Sequence, residues 1–140
     1  MRQTMDQQRA KYAWEMVSQA VTLKKEDGKS FGRHARRLGS RILTSGLGHS
    51  IAFLEQKKDA PTLVQGISLW IARQNWAGEA NGQADPSITR MIIQKDREFQ
   101  RMATEETMNL LIWVVRFAVA KGLTDEDQHD DQAANQETPA

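Results

Sequence analysis

The chain has 140 residues, of which 39% are apolar, with 3 prolines and no cysteine; this fits one folded domain and excludes disulfides and thiolate metal sites. The first residues, MRQTMDQQRAKY, contain no apolar run, so we predict no secretory signal and a cytoplasmic location. The formal net charge of +1 is spread unevenly, because residues 1–124 carry +7 and all six charged residues of 125–140 are acidic.

The first two predicted helices each have one apolar face. Residues 4–25 predict the first helix, because their apolar side chains recur at spacings of three and four. These are Ala10, Ala13, Met16, Val17 and Ala20. The second helix is predicted over residues 31–45, with Ser30 as its N-cap. Its apolar face comprises Phe31, Ala35, Leu38 and Ile42, and its opposite face is basic.

Three shorter helices are predicted next. The third spans residues 48–57, after a glycine stop at Gly46. The fourth begins at Asp59-Ala60-Pro61 and ends near Ala77. Its inner face comprises Leu63, Val64, Ile67, Trp70, Ile71 and Gln74. A loop over residues 78–84 leads to a short fifth helix, which Asp85 caps and Pro86 opens.

The last predicted helix, residues 97–121 with Asp96 as its N-cap, is apolar on nearly all sides in its second half. A helix of this kind is normally buried by several neighbours. The expected core residues are Leu110, Leu111, Trp113, Val114, Phe117 and Ala118. Arg116 is expected to reach solvent or to pair with Glu15 or Glu55. No segment alternates at period two, so the prediction is an all-α fold: a single compact bundle of about six helices around a central C-terminal helix.

The bundle is predicted to occupy residues 1–123, followed by an acidic, disordered tail over residues 124–140. This tail has no apolar pattern and is rich in Gln, Ala and Asn. Two roles are open for it. It is either a solubilising end, or an acidic segment that competes with RNA for the basic body of the protein.

No motif in the chain predicts catalysis, a metal site or a cofactor. Gly28-Lys29-Ser30 imitates the end of a phosphate-binding loop, but Leu23 occupies the position where that motif needs a glycine. The three histidines lack metal-ligand spacing. His34 is expected on the polar or basic face, and His49 at an exposed helix start. We therefore predict a protein that is not an enzyme.

Positive charge is the feature that carries functional information. Seven basic residues lie between positions 24 and 41, opposed only by Glu26 and Asp27. They are Lys24, Lys25, Lys29, Arg33, Arg36, Arg37 and Arg41. Like charges four residues apart on a helix repel one another, and a polyanion would relieve that repulsion. The candidates for this surface are nucleic acid bound through its phosphates, an acidic protein partner, or solvent alone.

Three segments taken in order resemble a known family. They are KSFGRHARRLGSRILTSGLGHSIAFLEQK (29–57), LVQGISLWIARQ (63–74) and DREFQRMATEETMNLLIWVVRFAVAKG (96–122). Together they resemble the small all-helical subunit of the Cmr-type (type III-B) CRISPR RNA-guided effector complex. One departure is Gly39, which follows Leu38 where the family pattern has a proline that breaks the helix.

The resemblance implies a non-catalytic subunit with a role in antiviral defence. Copies of such a subunit stack head-to-tail beside the backbone that holds the crRNA, line the channel for target RNA, and touch the large polymerase-like subunit. The implied partners are therefore the large subunit, the backbone subunits, further copies of the chain, and crRNA or target RNA, with no membrane.

Two other functions remain as alternatives. The first is a helical DNA-binding regulator that uses the second and third helices as a helix-turn-helix. Its recognition helix would need side chains that read base edges, whereas the third helix begins His49-Ser50-Ile51-Ala52-Phe53. The second is an enzyme whose site assembles only in the fold, and no residue pattern favours it.

Overall fold

A computed structural model describes residues 2–80 and 85–125 of the chain. Within these ranges it contains six α-helices, one short 3-10 helix and no strand. The elements are α1 (Met5–Val21), α2 (Lys25–Ser45), α3 (Leu47–Lys57), α4 (Pro61–Ala72), the 3-10 helix (Asn75–Ala80), α5 (Ile88–Gln94) and α6 (Arg97–Ala120). The predicted all-α bundle of about six helices is confirmed. Most of the predicted tail, from residue 126 onward, lies outside the described residues, as does His129.

Helix α2 begins six residues before the predicted start at residue 31. Ser30 is not its N-cap, because Gly28, Lys29 and Ser30 are already helical. Lys24 is the N-cap instead and makes no side-chain capping bond. Glu26 and Asp27 lie in the first turn, where carboxylates interact favourably with the helix dipole. The helix also runs unbroken through Gly39, so the break that a proline would make is absent here.

The other helix ends follow local capping chemistry. Helix α1 starts with a capping box between Thr4 and Gln7 and ends at Val21, four residues before the predicted end. Helix α5 is capped by Ser87, whose Oγ accepts a hydrogen bond from the backbone N–H of Arg90, so the prediction of Asp85 as the cap was wrong. The prediction of Asp96 for α6 is confirmed, since its Oδ1 accepts a hydrogen bond from the N–H of Phe99 at 3.0 Å.

Helix α4 is shorter than predicted, and the segment after it is not a simple loop. It ends at Ala72, and residues 75–80 form the 3-10 helix with a kink at Gly78. Gln74 is half-buried beyond the end of α4, and its side-chain amide donates to the carbonyl of Trp70. The rest of the predicted loop, residues 81–84, lies outside the described residues.

Helix α6 packs mainly against α1 and then against α2. It uses one face rather than its whole circumference, because Ile112 is 53% exposed and Trp113 and Phe117 are only half-buried. The predicted core positions that are buried are Leu110, Leu111, Val114 and Ala118. Placing Trp113 in the core was wrong, since its indole N–H donates to Asp6 Oδ1 at 3.0 Å near the surface. Arg116 is exposed, which agrees with the prediction that its side chain reaches solvent.

A buried carboxylate connects three helices of the bundle. Glu106 on α6 is 7% exposed and accepts two hydrogen bonds from Arg9 on α1, at 2.7 and 2.9 Å. The indole N–H of Trp70 on α4 donates to the same carboxylate at 3.0 Å. Three N–H groups, two of Arg9 and one of Trp70, therefore donate to the same buried carboxylate, and this carboxylate links α1, α4 and α6.

The end of α6 turns back onto α2. Gly122 has φ +76°, and the N–H of Leu123 donates to the carbonyl of Ala118 at 2.9 Å. This is the hydrogen bond of a Schellman motif, which glycine favours because it adopts a left-handed conformation without strain. The turn places Leu123 against Gly28 and Gly32, whose missing side chains leave room for it.

Two glycines of α2 give a matched test of this packing. A Cβ at Gly32 would lie 2.7 Å from the carbonyl carbon of Leu123, whereas a Cβ at Gly39 would meet only Met108 Cε at 3.7 Å. Alanine in a helix interior is favoured over glycine by about 1 kcal/mol. We expect Gly39→Ala to raise the free energy of unfolding in urea by about that amount, and Gly32→Ala to lower it. Equal stabilisation by both changes would contradict the contact with Leu123.

Candidate nucleic-acid interface

The basic residues of α2 form a line along its outer surface. Lys25, Lys29, Arg33, Arg37 and Arg41 follow one another at intervals of four residues and are called here the basic stripe. Residues four apart lie above one another on one side of a helix. At 1.5 Å per residue, the stripe extends over about 24 Å. Lys24, at the N-cap, and Arg36, one turn after Gly32, flank it.

The stripe is largely exposed and unpaired. Among residues 2–80 and 85–125, no ion pair involves any of the seven predicted basic residues. The exposed members of the predicted set are Lys24, Lys25, Lys29, Arg33 and Arg37. Arg36 is half-buried, and its Nε has no hydrogen-bond partner in the described part of the chain.

Arg41 differs from the rest of the stripe because it is packed against the protein. Its guanidinium lies 4.9 Å from the centre of the Phe53 ring, and its Nη1 is 3.2 Å from Nδ1 of His34. Burial, followed by the neighbouring charges of Arg37 and Arg33, lowers the pKa of Arg41 from its ordinary value. Burial of Arg41 and repulsion from its two neighbours on α2 thus act in the same direction, and Asp59 opposes them.

His34 is buried, at 4% exposure, and does not belong to the polar face where it was predicted. Arginine only donates, so Nδ1 of His34 accepts from Arg41 and the ring proton is on Nε2. Nε2 lies 3.2 Å from Oδ2 of Asp59, outside good hydrogen-bonding geometry. Burial lowers the pKa of His34; Asp59 opposes this shift, and Arg41 and Arg33 add to it. His49, by contrast, is exposed as predicted.

The lowered pKa of His34 makes stability depend on pH. The unfolded chain binds a proton near pH 6.5 and the folded chain binds one only at lower pH, so stability is complete above about pH 6.5 and falls as the pH drops below it. We expect His34→Gln to flatten the change in urea midpoint between pH 7.5 and 5.5. The matched change His49→Gln, at an exposed site, should leave that dependence intact. If the urea midpoint of the His34 variant changes with pH as much as that of the wild type, His34 is not the cause of the pH dependence.

The described residues contain no cluster of three or more His, Asp or Glu side chains that could hold a metal ion. A groove of about 740 Å³ runs between the start of α3 and the helices α5 and α6. Ile92 and Ile93 contribute apolar surface to it, and Arg97, Arg101 and Glu105 lie at its polar side. Within residues 2–80 and 85–125, no helix is long and apolar enough to cross a membrane.

The α2–α3 pair is poorly suited to reading DNA bases as a helix-turn-helix. Gly46 makes the turn between the two helices, with φ +87°. On α3, the ring of Phe53 is 39% exposed, and the cations of Arg41 and Lys57 lie 4.9 and 5.8 Å from its centre. Leu47, Ser50, Ile51 and Leu54 are buried. A recognition helix reads base edges mainly with side chains near its start, and the exposed residues in the first two turns of α3 are His49, Ala52 and Phe53, of which only His49 has polar side-chain atoms.

These features define a class of protein: a small all-helical protein with a line of exposed cations along one of its helices. A family model described as CRISPR-associated protein (Cas_Cmr5) matches residues 5–121. That match covers most of the chain, and the chain belongs to this family. It is therefore a small, non-catalytic structural subunit of the type III-B (Cmr) CRISPR effector complex, as the resemblance implied.

Sequence reasoning identified the seven basic residues but not their arrangement as one stripe. Lys25 and Lys29 lay outside the predicted second helix, and only the earlier start of α2 aligns them with Arg33, Arg37 and Arg41.

Sequence reasoning also missed the contacts around the stripe. The burial of His34 and the packing of Arg41 on Phe53 were not visible in the sequence, because both depend on where α3 and Asp59 lie. The ion pair of Arg9 with Glu106 joins residues 97 positions apart and leaves no local pattern.

Proposed function

We propose that this subunit contacts RNA through the basic stripe of α2 within the assembled effector complex. Several copies stack head-to-tail beside the crRNA-bearing backbone, and their stripes line the channel for target RNA. The partners are the backbone subunits, the large polymerase-like subunit and further copies of the chain, in the cytoplasm. Stacking by unlike faces produces short open filaments rather than closed rings.

The observation that supports this proposal is the line of exposed cations without ion-pair partners. Lys25, Lys29, Arg33 and Arg37 repel one another along one helix face, a weakly destabilising arrangement in the free protein. Phosphates placed along the stripe would remove that repulsion and release counterions from the RNA. A bound polyanion therefore stabilises this surface more than water does, because it removes the repulsion between the cations.

The stripe suits contact with the phosphate backbone rather than with bases. Base stacking along a strand needs a series of exposed rings. The ring in contact with Arg41 of the stripe is that of Phe53, and this one ring already interacts with the cations of Arg41 and Lys57. Phosphate contacts fix position but carry no sequence information. With three to four phosphate contacts per copy, the slope of log affinity against log salt should be about −2 to −3 for each copy.

The proposal is tested by reversing charge on the stripe. We expect Lys29→Glu, Arg33→Glu and Arg37→Glu together to weaken RNA binding by the assembled complex and to flatten its salt slope by about 2 for each copy. These side chains are exposed, so helix α2 should stay folded. The measurement is RNA affinity over a salt series, with circular dichroism as a check of folding.

The matched control reverses three exposed cations elsewhere on the protein: Lys11, Arg90 and Arg116. It makes the same change in net charge and should leave most of the affinity and the slope intact. Equal losses in the two triple variants would show that net charge, and not the stripe, attracts RNA. Unchanged binding in the stripe variant would overturn the proposal, and Lys95, Arg97 and Arg101 would be the next candidates.

A further inference from the structure

The chain leaves the bundle beside the basic stripe. Leu123 lies against Gly28 and Gly32 of α2, and the Schellman turn at Gly122 fixes this exit. Gly32 and Arg33 are adjacent in sequence, Lys29 follows Gly28, and Arg36 lies one turn beyond Gly32. The segment that follows Leu123 therefore begins at the helix that holds the protein's densest positive charge.

The charge of that segment is complementary to the stripe. Residues 124–140 contain six carboxylates and no lysine or arginine, whereas residues 24–41 contain seven cations and two carboxylates. Five of the six acids fall in the first eight positions after Leu123, close to the exit. They are Asp125, Glu126, Asp127, Asp130 and Asp131. Arg36 follows Gly32 by one helical turn, is half-buried, and has no hydrogen-bond partner for its Nε in the described part of the chain.

The segment after Leu123 is long enough to reach the whole basic stripe. The 17 residues after Leu123 can extend over about 56 Å, and the stripe is about 24 Å long. A short tether holds a segment at an effective concentration in the mM range. Weak attraction between carboxylates and exposed cations is then sufficient to fill the site for much of the time.

We propose that the acidic segment 125–140 docks on the N-terminal part of the basic stripe of its own chain, around Lys29, Arg33 and Arg36. The segment occupies the place of a nucleic-acid backbone in the free subunit and is displaced when the complex presents RNA. This contact discourages the free subunit from binding unrelated RNA. It depends on charge alone and can exist whether or not the stripe binds RNA in the complex.

The test uses the full chain, which has no native cysteine and can be labelled at one introduced site. A nitroxide is attached to the Ala134→Cys variant, and broadening of backbone amide signals is measured by NMR. We expect broadening on α2 between Lys25 and Arg37 at low salt, and none around Arg90 and Arg97. At about 1 M salt, where the screening length is near 3 Å, the broadening should fall to the weaker level that attachment of the tail at Leu123 produces by itself.

A tail-neutralised variant is the matched control, with Glu126→Gln and the changes Asp127→Asn, Asp130→Asn and Asp131→Asn. It should show only the weaker broadening of α2 that the tether at Leu123 produces. Equal broadening of α2 by the two tails, broadening centred on another helix, or broadening of α2 that is unchanged at high salt would each overturn the proposal.

RNA affinity separates this proposal from the function of the stripe. If the segment and RNA share the stripe, the tail-neutralised chain should bind a short oligouridylate about two- to tenfold more tightly at low salt. Broadening of α2 beyond the tether level with no RNA binding by any variant would uphold the intramolecular contact and overturn RNA binding by the free subunit. RNA binding with no broadening beyond that level would uphold the RNA function and overturn the intramolecular contact.

Discussion

Replacing Glu106 by alanine is expected to lower the free energy of unfolding by about 3–5 kcal/mol, the usual effect of leaving one partner of a buried ion pair alone. Glu106 accepts from Arg9 at 2.7 and 2.9 Å and from the indole N–H of Trp70 at 3.0 Å. Without the carboxylate, a largely buried guanidinium and a buried indole N–H lose their acceptor together. Three helices would lose a shared connection.

The neighbouring residue supplies the control. Glu105 is exposed and bonds only to the exposed Arg101, so Glu105→Ala should leave the free energy of unfolding nearly unchanged. Urea unfolding followed by circular dichroism measures both variants. If Glu106→Ala and Glu105→Ala unfold at the same urea concentration, the buried connection between α1, α4 and α6 does not exist as described.

Truncation of Trp70 to alanine should also cost about 3–5 kcal/mol, whereas Trp113→Ala should cost clearly less. Trp70 is 6% exposed, and its ring centre lies 4.8 Å from that of Tyr12. Trp113 is half-buried and directs its N–H to the exposed Asp6. The difference arises because a buried ring leaves a cavity when it is removed, and a surface ring leaves a space that water fills.

The change Trp70→Phe separates packing from hydrogen bonding. It keeps most of the buried ring but removes the donor to Glu106 Oε2, and it should cost about 1–3 kcal/mol. Thermal and urea unfolding measure the stability of these variants. We expect Trp70→Ala to be the least stable, Trp70→Phe to be intermediate, and the wild type to be the most stable. A Trp113→Ala variant less stable than Trp70→Ala would contradict the core described here.

The sequence was sufficient where a local pattern decided the structure. Asp96 was identified as a cap because a short acceptor three residues before Phe99 satisfies an N–H of the first turn. The apolar face of α2 and its opposite basic face followed from helical spacing, and Phe31, Ala35 and Leu38 are buried. The same spacing predicted the basic residues from Arg33 to Arg41 on the basic face, but not the extension of the stripe to Lys25 and Lys29, which needs the earlier helix start.

The sequence was insufficient where a competing capping signal set a helix start, or where a partner distant in sequence set the position of a side chain. Ser30 looked like a cap, but the acidic first turn at Glu26 and Asp27 allows α2 to start earlier. Trp113 looked like a core residue because apolar residues surround it in sequence, yet an indole N–H needs a partner and found one in Asp6 at the surface.

The distribution of charged residues along the chain was more informative than the net charge. A net charge of +1 suggests a neutral protein, but it conceals a basic stripe and an acidic segment of nearly equal size. The fold brings the start of that segment to Gly28 and Gly32, within one helical turn of Lys29 and Arg36. The proximity results from the turn at Gly122, which no pattern in the acidic segment itself could reveal.

The most direct test of the RNA-binding role is site-specific photocrosslinking in the assembled complex. Ser40 is exposed and lies on the face of α2 that bears the stripe, and Gln65 is exposed on α4. A benzophenone amino acid replaces one or the other, and labelled target RNA is irradiated with the complex. We expect position 40 to crosslink to RNA and position 65 not to do so. Crosslinking at position 65 with none at position 40 would contradict the assignment of the stripe as the RNA-contacting surface.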